Sequence, residues 1–187
     1  MSIALFVDGE SDEGTIPELI RKFLNVSPKI ICKRMPRGDM FNSEKIKAHL
    51  GPLLKQDPDV AKVIVCVDSH CTDPKEIEEK TLRIEQELER QGLAIVPRYA
   101  VVVHALEGWL AVDSKALEKV LGKQVWIKRN LEEVCKPEDL LGDIFAQHGK
   151  RFQKTRHDPQ IARYADPVEI ARHSSSFRRF CQLVKNV

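Results

Sequence analysis

Two short apolar runs punctuate the chain, Ile3-Ala4-Leu5-Phe6-Val7 and Val63-Ile64-Val65-Cys66-Val67. An unbroken apolar run of about five residues predicts a strand buried on both faces, as in a parallel sheet. Residues 28–33 are shorter in apolar content and predict a second strand near an edge, while 93–96 and 100–103 predict a further pair. Between these runs the spacing turns helical. Ile16, Leu19, Ile20, Phe23 and Leu24 predict a helix ending near Asn25. Ile46, Leu50, Leu53 and Leu54 predict another, broken or bent near Gly51-Pro52, after a basic loop over 34–39. Asp73, Pro74 and Glu76 form a helix start, with the acid as N-cap and proline in the first turn. Ile77, Thr81, Ile84 and Leu88 then mark one face of a helix closed by Gly92.

Strands alternating with helices over the first 105 residues predict an α/β fold with a parallel sheet and helices on both faces. Beyond Leu106 the pattern becomes a series of short helices, over 107–112, 114–121, 137–145, 159–164, 167–173 and 177–184. Asp158-Pro159 and Asp166-Pro167 each read as an N-cap followed by proline. Residues 106–187 are therefore expected to be a helical elaboration packed on the core, within a single domain spanning 1–187.

The chemistry sits behind the two clearest strands. The first runs into Asp8-Gly9-Glu10-Ser11-Asp12-Glu13 and the second into Asp68-Ser69-His70-Cys71-Thr72-Asp73. In a parallel sheet the ligand crevice lies at the carboxyl ends of the strands, where strand order reverses. Carboxylates delivered there from two strands can share a hard divalent cation. Gly9 would let the backbone turn sharply and a ligand approach closely. The competing reading is structural: Ser11, Asp12 and Glu13 also favour a helix N-terminus through the helix dipole.

Overall charge is uninformative, since 30 Lys/Arg oppose 28 Asp/Glu, but its distribution is not. From Gln147 onward nine basic residues face three acidic ones, leaving a mildly acidic body of 21 basic and 25 acidic residues. Basic tails often meet phosphates, though a solvated helix face accounts for the same pattern. Lys154, Thr155, Arg156 and His157 lie in a predicted loop suited to gripping a nucleic-acid backbone. Five scattered cysteines without a CxxC, and no leader or spanning segment, predict a soluble protein of a reducing cytoplasm. No nucleotide-binding glycine loop, HExxH motif or ordered Ser-His-Asp set is present, which argues against a P-loop ATPase, a dinucleotide enzyme and a zincin-type protease.

The order of these elements resembles the Toprim domain: strand, acid, glycine, an acidic helix start, then a second strand ending in Asp-x-acid. The chain is more closely similar to a bacterial Toprim-like family (domain of unknown function family 4276), related to the Toprim domains of overcoming-lysogenization-defect nucleases. The elements that carry this are Leu106-Glu107-Gly108-Trp109 and the segment Ser174-Ser175-Ser176-Phe177-Arg178-Arg179-Phe180. The resemblance implies a nuclease or related phosphoryl-transfer enzyme using Mg²⁺ or Mn²⁺ on nucleic acid, with a link to phage defence. It puts Asp8 where the family has its acid/base Glu, with Glu10 as a stand-in. Asp68 takes the first metal-binding Asp position, and His70 stands where the second is usual. Asp8, Asp68, Asp73 and Glu107 are then the candidate metal ligands, and Lys154 and Arg156 the candidate phosphate contacts. The resemblance also implies a separate ABC-type ATPase as partner and allows a homo-oligomer. A rival reading keeps the fold as a catalytically decayed binding or effector module.

Overall fold

In the computed structural model, which describes residues 2–24, 28–127 and 133–185, four parallel strands form one sheet. These are β1 (Ser2–Val7), β2 (Lys29–Arg34), β3 (Val60–Asp68) and β4 (Arg98–Val102), in the order β2-β1-β3-β4. β1 is buried along its whole length, with Leu5 in register with Cys32 on one side and Ile64 on the other.

The pleat divides the sheet's side chains into two cores. Ile3, Leu5, Val7, Ile64, Cys66 and Val102 face α1 (Glu10–Leu24) and the helices beyond β4: α5 (Leu106–Ala111), α6 (Ser114–Leu121), α7 (Pro137–Gln147), α8 (Lys154–Tyr164), α9 (Pro167–His173) and α10 (Ser175–Lys185). Ala4, Phe6, Val63, Val65, Val67 and Tyr99 face α2 (Arg37–Met40), α3 (Ser43–Gln56) and α4 (Pro74–Arg90). Both faces are covered, which is why β1 and β3 carry unbroken apolar runs rather than alternating ones. From β1 the chain moves outward to β2, then returns past β1 to β3, so the order reverses between β1 and β3. Their carboxyl ends, at Val7 and Asp68, open on that crevice.

Several local expectations need correction. Residues 93–96 form no strand: β3 has one free side, taken by β4, and Pro97 cannot donate to a ladder. Leu93, Ile95 and Val96 instead pack, half-buried, against the second core. The basic segment 34–39 is not all loop, since Arg34 ends β2 and Arg37 opens the short helix α2. α3 runs through Gly51-Pro52 without a break. Lys154 lies not in a loop but at the first position of α8, and Asp158 is not an N-cap but an interior residue of that helix.

Cys71 and Cys135 are joined as a disulfide with their Cα atoms 5.1 Å apart, whereas Cys32, Cys66 and Cys181 are free. The spacing of the cysteines gives no hint of this pairing. It ties the loop after β3 to the segment leading into α7. No helix among the described residues is long and apolar enough to cross a membrane.

Candidate metal centre

Asp68 is the last residue of β3, and its carboxyl is pushed well above the usual carboxylate range. Burial is the main cause, followed by the negative charges of Asp12 and Glu107; Lys154 and Arg37 act the other way. These residues come from β3, the first turn of α1, α5, α8 and α2, so charges from five elements act on the Asp68 carboxyl.

Asp12 enters because α1 starts directly behind β1. Its Oδ2 accepts a hydrogen bond from the Gly9 N–H at 3.1 Å, and it is mostly buried. An acid at this position closes the helix start. Burial nonetheless raises its carboxyl, more than the Gly9 bond lowers it. A Cβ on Gly9 would come within 3.3 Å of that Oδ2, so the bare backbone leaves Asp12 its room. Asp12 lies four residues after Asp8 and shares its side of the helix start. Glu10 does not. Its carboxylate is exposed and stands 3.6 Å from Arg34. Asp8 is partly exposed at the mouth of the crevice, 4.0 Å from the Arg37 guanidinium.

Glu107 sits in the first turn of α5 and is completely buried. Lys154 Nζ stands 2.8 Å from its Oε1 and 3.6 Å from Glu138. Burial works against the Lys154 charge, but the acids outweigh it and hold the ammonium protonated. Asp158, also 0% exposed, lies one turn along α8 and accepts a hydrogen bond from the Ser11 hydroxyl. Burial and Glu107 raise its carboxyl to about 8. Glu107 Oε1 meets Lys154 Nζ, and the Asp158 carboxyl lies within hydrogen-bond reach of Glu107, a contact that only a protonated partner can make. Two ionised carboxylates are acceptors only, so they satisfy one another only when a proton or a cation lies between them. Gly14 seats α8 against α1: a Cβ there would lie 2.9 Å from the Pro159 ring and push Asp158 away from Ser11.

His70 and His104 lace the loops behind β3 and β4. The His70 N–H donates to the His104 carbonyl at 2.7 Å, and the His104 N–H to Ser69 Oγ at 2.8 Å. Both histidines adopt the left-handed backbone region, with φ of 49° and 59°. Such positions are costly for a non-glycine residue and cluster at functional sites. Burial and Arg37 lower the His70 imidazole, which favours its neutral, ligating form. Asp73 is exposed and caps α4, accepting from the Lys75 N–H at 3.0 Å. Arg156 is exposed on α8.

The anionic oxygen donors around Asp68 are of the type that suits a hard divalent cation. Among the described residues, however, no three acidic, histidine or cysteine side chains are gathered into a metal-binding group. Lys154 stands among them as the local positive charge. The signal for Asp12 is its spacing, four residues from Asp8. The signal for Asp158 is the apolar set Ile161, Ala162 and Ala165, which places it on the buried face of α8.

The raised Asp158 carboxyl has a pH signature. Its folded value lies above that of an unfolded aspartate, near 4, so its protonated form favours folding. That contribution is present below about pH 4 and is lost as pH rises toward 8. Asp158→Asn cannot ionise and keeps an oxygen for Ser11. In metal-free buffer it should gain on wild type by at least about 1.4 kcal/mol between pH 5 and pH 8, measured by urea unfolding. An equal pH dependence in both proteins would show that Asp158 is not held protonated.

The parallel order β2-β1-β3-β4, with acids at its reversal point, is that of a doubly wound α/β fold. Over residues 7–185 the chain matches the family described as Domain of unknown function (DUF4276), and it belongs to that family. Two solved structures share the fold. The C-terminal region of the Burkholderia pseudomallei OLD protein is 16% identical with a TM-score of 0.50, covering 97% of this chain and 96% of its own. The C-terminal region of the Xanthomonas campestris pv. campestris OLD protein is 15% identical with a TM-score of 0.51, covering 97% and 93%. No curated protein sequence matches the chain.

Proposed function

We propose that the protein is a divalent-metal-dependent nuclease, or a related phosphoryl-transfer enzyme, acting at the crevice between β1 and β3. The observation that carries this reading is that the charges of Asp12 and Glu107 both reach the Asp68 carboxyl, behind two parallel strands. Residues that merely stabilise a fold seldom bury like charges together, because each raises the cost of ionising the others. Asp8, Asp12, Asp68 and Glu107 would hold Mg²⁺ or Mn²⁺, with the neutral His70 imidazole beside them. Such an ion polarises a phosphoryl oxygen and lowers the pKa of an attacking water.

The chain's own groups supply the rest. Asp8, at the solvent-facing mouth, is placed to accept a proton from water, and its half-exposed carboxylate needs no rearrangement to do so. Glu10, turned toward Arg34, is the weaker candidate for that role. Lys154 keeps its proton and places a positive charge 2.8 Å from Glu107 and 3.6 Å from Glu138. Arg156 contacts phosphate outside the crevice. Asp73 serves as the α4 cap rather than as a ligand. The resemblance to nucleases of the overcoming-lysogenization-defect group supports nucleic acid as substrate, a separate ABC-type ATPase as partner and a role in phage defence.

The experiment is cleavage of supercoiled plasmid DNA and of tRNA with millimolar MgCl₂ or MnCl₂, against an EDTA control. Products in metal and none in EDTA are expected. A second reading, a decayed binding or effector module, draws on His70 at the usual acid position and on the absence of a gathered ligand group among the described residues. Failure to cleave either polymer, together with failure to bind Mn²⁺, would leave only that reading.

A further inference from the structure

Around α8 from the acidic crevice lies a pocket of about 370 Å³ between α6, α7 and α8. Its walls carry Lys150, Arg151, Arg156 and the amides of Gln153 and Gln160, over a floor that includes the Phe145 ring; no carboxylate lines it. Val120 and the nearly buried His157 complete the lining, and Lys150 and Arg151 also border a neighbouring hollow that holds Glu138, Asp139 and Asp143. Neither the Arg151 nor the Arg156 guanidinium is paired with a carboxylate among the described residues.

The rest of the pocket is rigidly built. Lys150 Nζ is pinned by the carbonyls of Val120 and Leu121, at 3.1 and 3.0 Å, across the last turn of α6. His157 is nearly buried, stacked on Phe152 with ring centroids 5.8 Å apart. Its Nδ1 accepts the Gln153 N–H at 2.8 Å, which leaves the ring proton on Nε2 as a further donor. Burial, then the charges of Arg156 and Lys150, lower this imidazole.

Lys154 and Arg156 are two positions apart on α8 and so point to nearly opposite sides of the helix. Lys154 faces the acids, while Arg156 lines the pocket. A helix with its side chains is about 10 Å across, which matches about three nucleotides of a stacked strand at 3.4 Å each.

We propose that this pocket grips a backbone phosphate of the polynucleotide about three nucleotides from the one held over the acidic crevice. The proposal rests on the nuclease reading and adds a register to it. Arginine forks suit a phosphate's paired oxygens, and the glutamine amides add neutral donors. The site carries no sequence preference, because only the backbone is held.

The test is fluorescence anisotropy of a 5′-labelled single-stranded DNA binding to the whole chain in EDTA across a salt series. Arg151→Gln/Arg156→Gln should raise Kd about tenfold and reduce the slope of log K against log salt by about 0.7 for each phosphate no longer held. Lys55→Gln/Arg83→Gln removes the same charge from exposed sites on α3 and α4, and should leave both quantities nearly unchanged. Equal weakening by the two double variants, no weakening by the pocket variant, or no DNA binding by wild type would each overturn the proposal. Cleavage in Mn²⁺ is scored separately. A wild type that cleaves and a pocket variant that binds DNA equally well would sink the pocket and keep the nuclease. Pocket-dependent binding without cleavage under any metal would do the reverse. Circular dichroism melts of both variants confirm that they fold.

Discussion

Asp68→Asn is expected to slow metal-dependent cleavage about a thousandfold while leaving the fold intact. Asp68 is the carboxylate delivered by the central strand β3, and the charges of Asp12, Glu107, Lys154 and Arg37 all bear on it. Asparagine has the same shape but is a weaker donor to a hard cation. Losing one anionic ligand should remove about 4 kcal/mol of transition-state stabilisation, from the several that a bound ion supplies. Stability should move the other way. Asp68 is raised when folded, so ionising it disfavours the native state as pH rises above about 4. The asparagine variant escapes that cost, and its melting temperature in metal-free buffer at pH 7 should equal or exceed that of wild type. Cleavage rates and melting curves on the same preparations check both halves. A variant that still cleaves within tenfold of wild type would remove Asp68 from the chemistry.

The second large effect concerns the platform under Glu107. Trp109, two residues on in α5, is 1% exposed and packs against Phe177 and Phe180 of α10, with ring centroids 5.0 and 5.2 Å away. Its indole N–H donates to the Ser176 hydroxyl at 2.8 Å. Trp109→Ala empties a large volume and leaves the Ser176 hydroxyl only its 3.2 Å contact with the Ser174 hydroxyl, and should cost about 3–5 kcal/mol. That is a large share of the 5–15 kcal/mol typical of a folded chain. Trp109→Phe keeps most of the packing and loses the hydrogen bond, so about 1–2 kcal/mol is expected. Urea unfolding followed by circular dichroism is the suitable measurement, since the exposed Trp126 would blur a fluorescence signal. A cost below 1 kcal/mol for the alanine variant would mean that α5 is held elsewhere.

The parts of this molecule that can be read from sequence are those where one physical signal acts alone. β1 and β3 are plain because burial on both faces leaves no polar position to confuse the period. α6 and α9 run over the residues their spacing predicts, and Asp166 caps α9 as the Asp-Pro pair predicts. Errors arise where one signal fits two structures. Asp-Pro marks a helix start at Asp166, yet at Asp158 the same pair lies inside a helix whose neighbour α1 leaves space for the proline ring. The apolar residues of 93–96 satisfy a strand pattern, but the sheet has no place beside β3 for two more strands.

The site divides in the same way. Asp8 and Asp68 are legible because strand ends locate them, and Glu107 because it follows the last strand. Adjacency favours Glu10 as the stand-in for Asp8, yet helix periodicity turns it outward and brings Asp12 in. The Cys71–Cys135 bond depends on packing between segments far apart in the chain, which local spacing does not encode.

The central claim is that the carboxylates behind β1 and β3 form a divalent cation site, and Mn²⁺ titration calorimetry on the metal-free wild type tests it most directly. Run at pH 7 in two buffers of different ionisation enthalpy, it reads affinity and proton release together. Binding is expected with release of protons, because burial and Glu107 hold the Asp158 carboxyl up at about 8 without metal and a cation beside Glu107 would displace that proton. No heat of binding at millimolar Mn²⁺ would contradict the account.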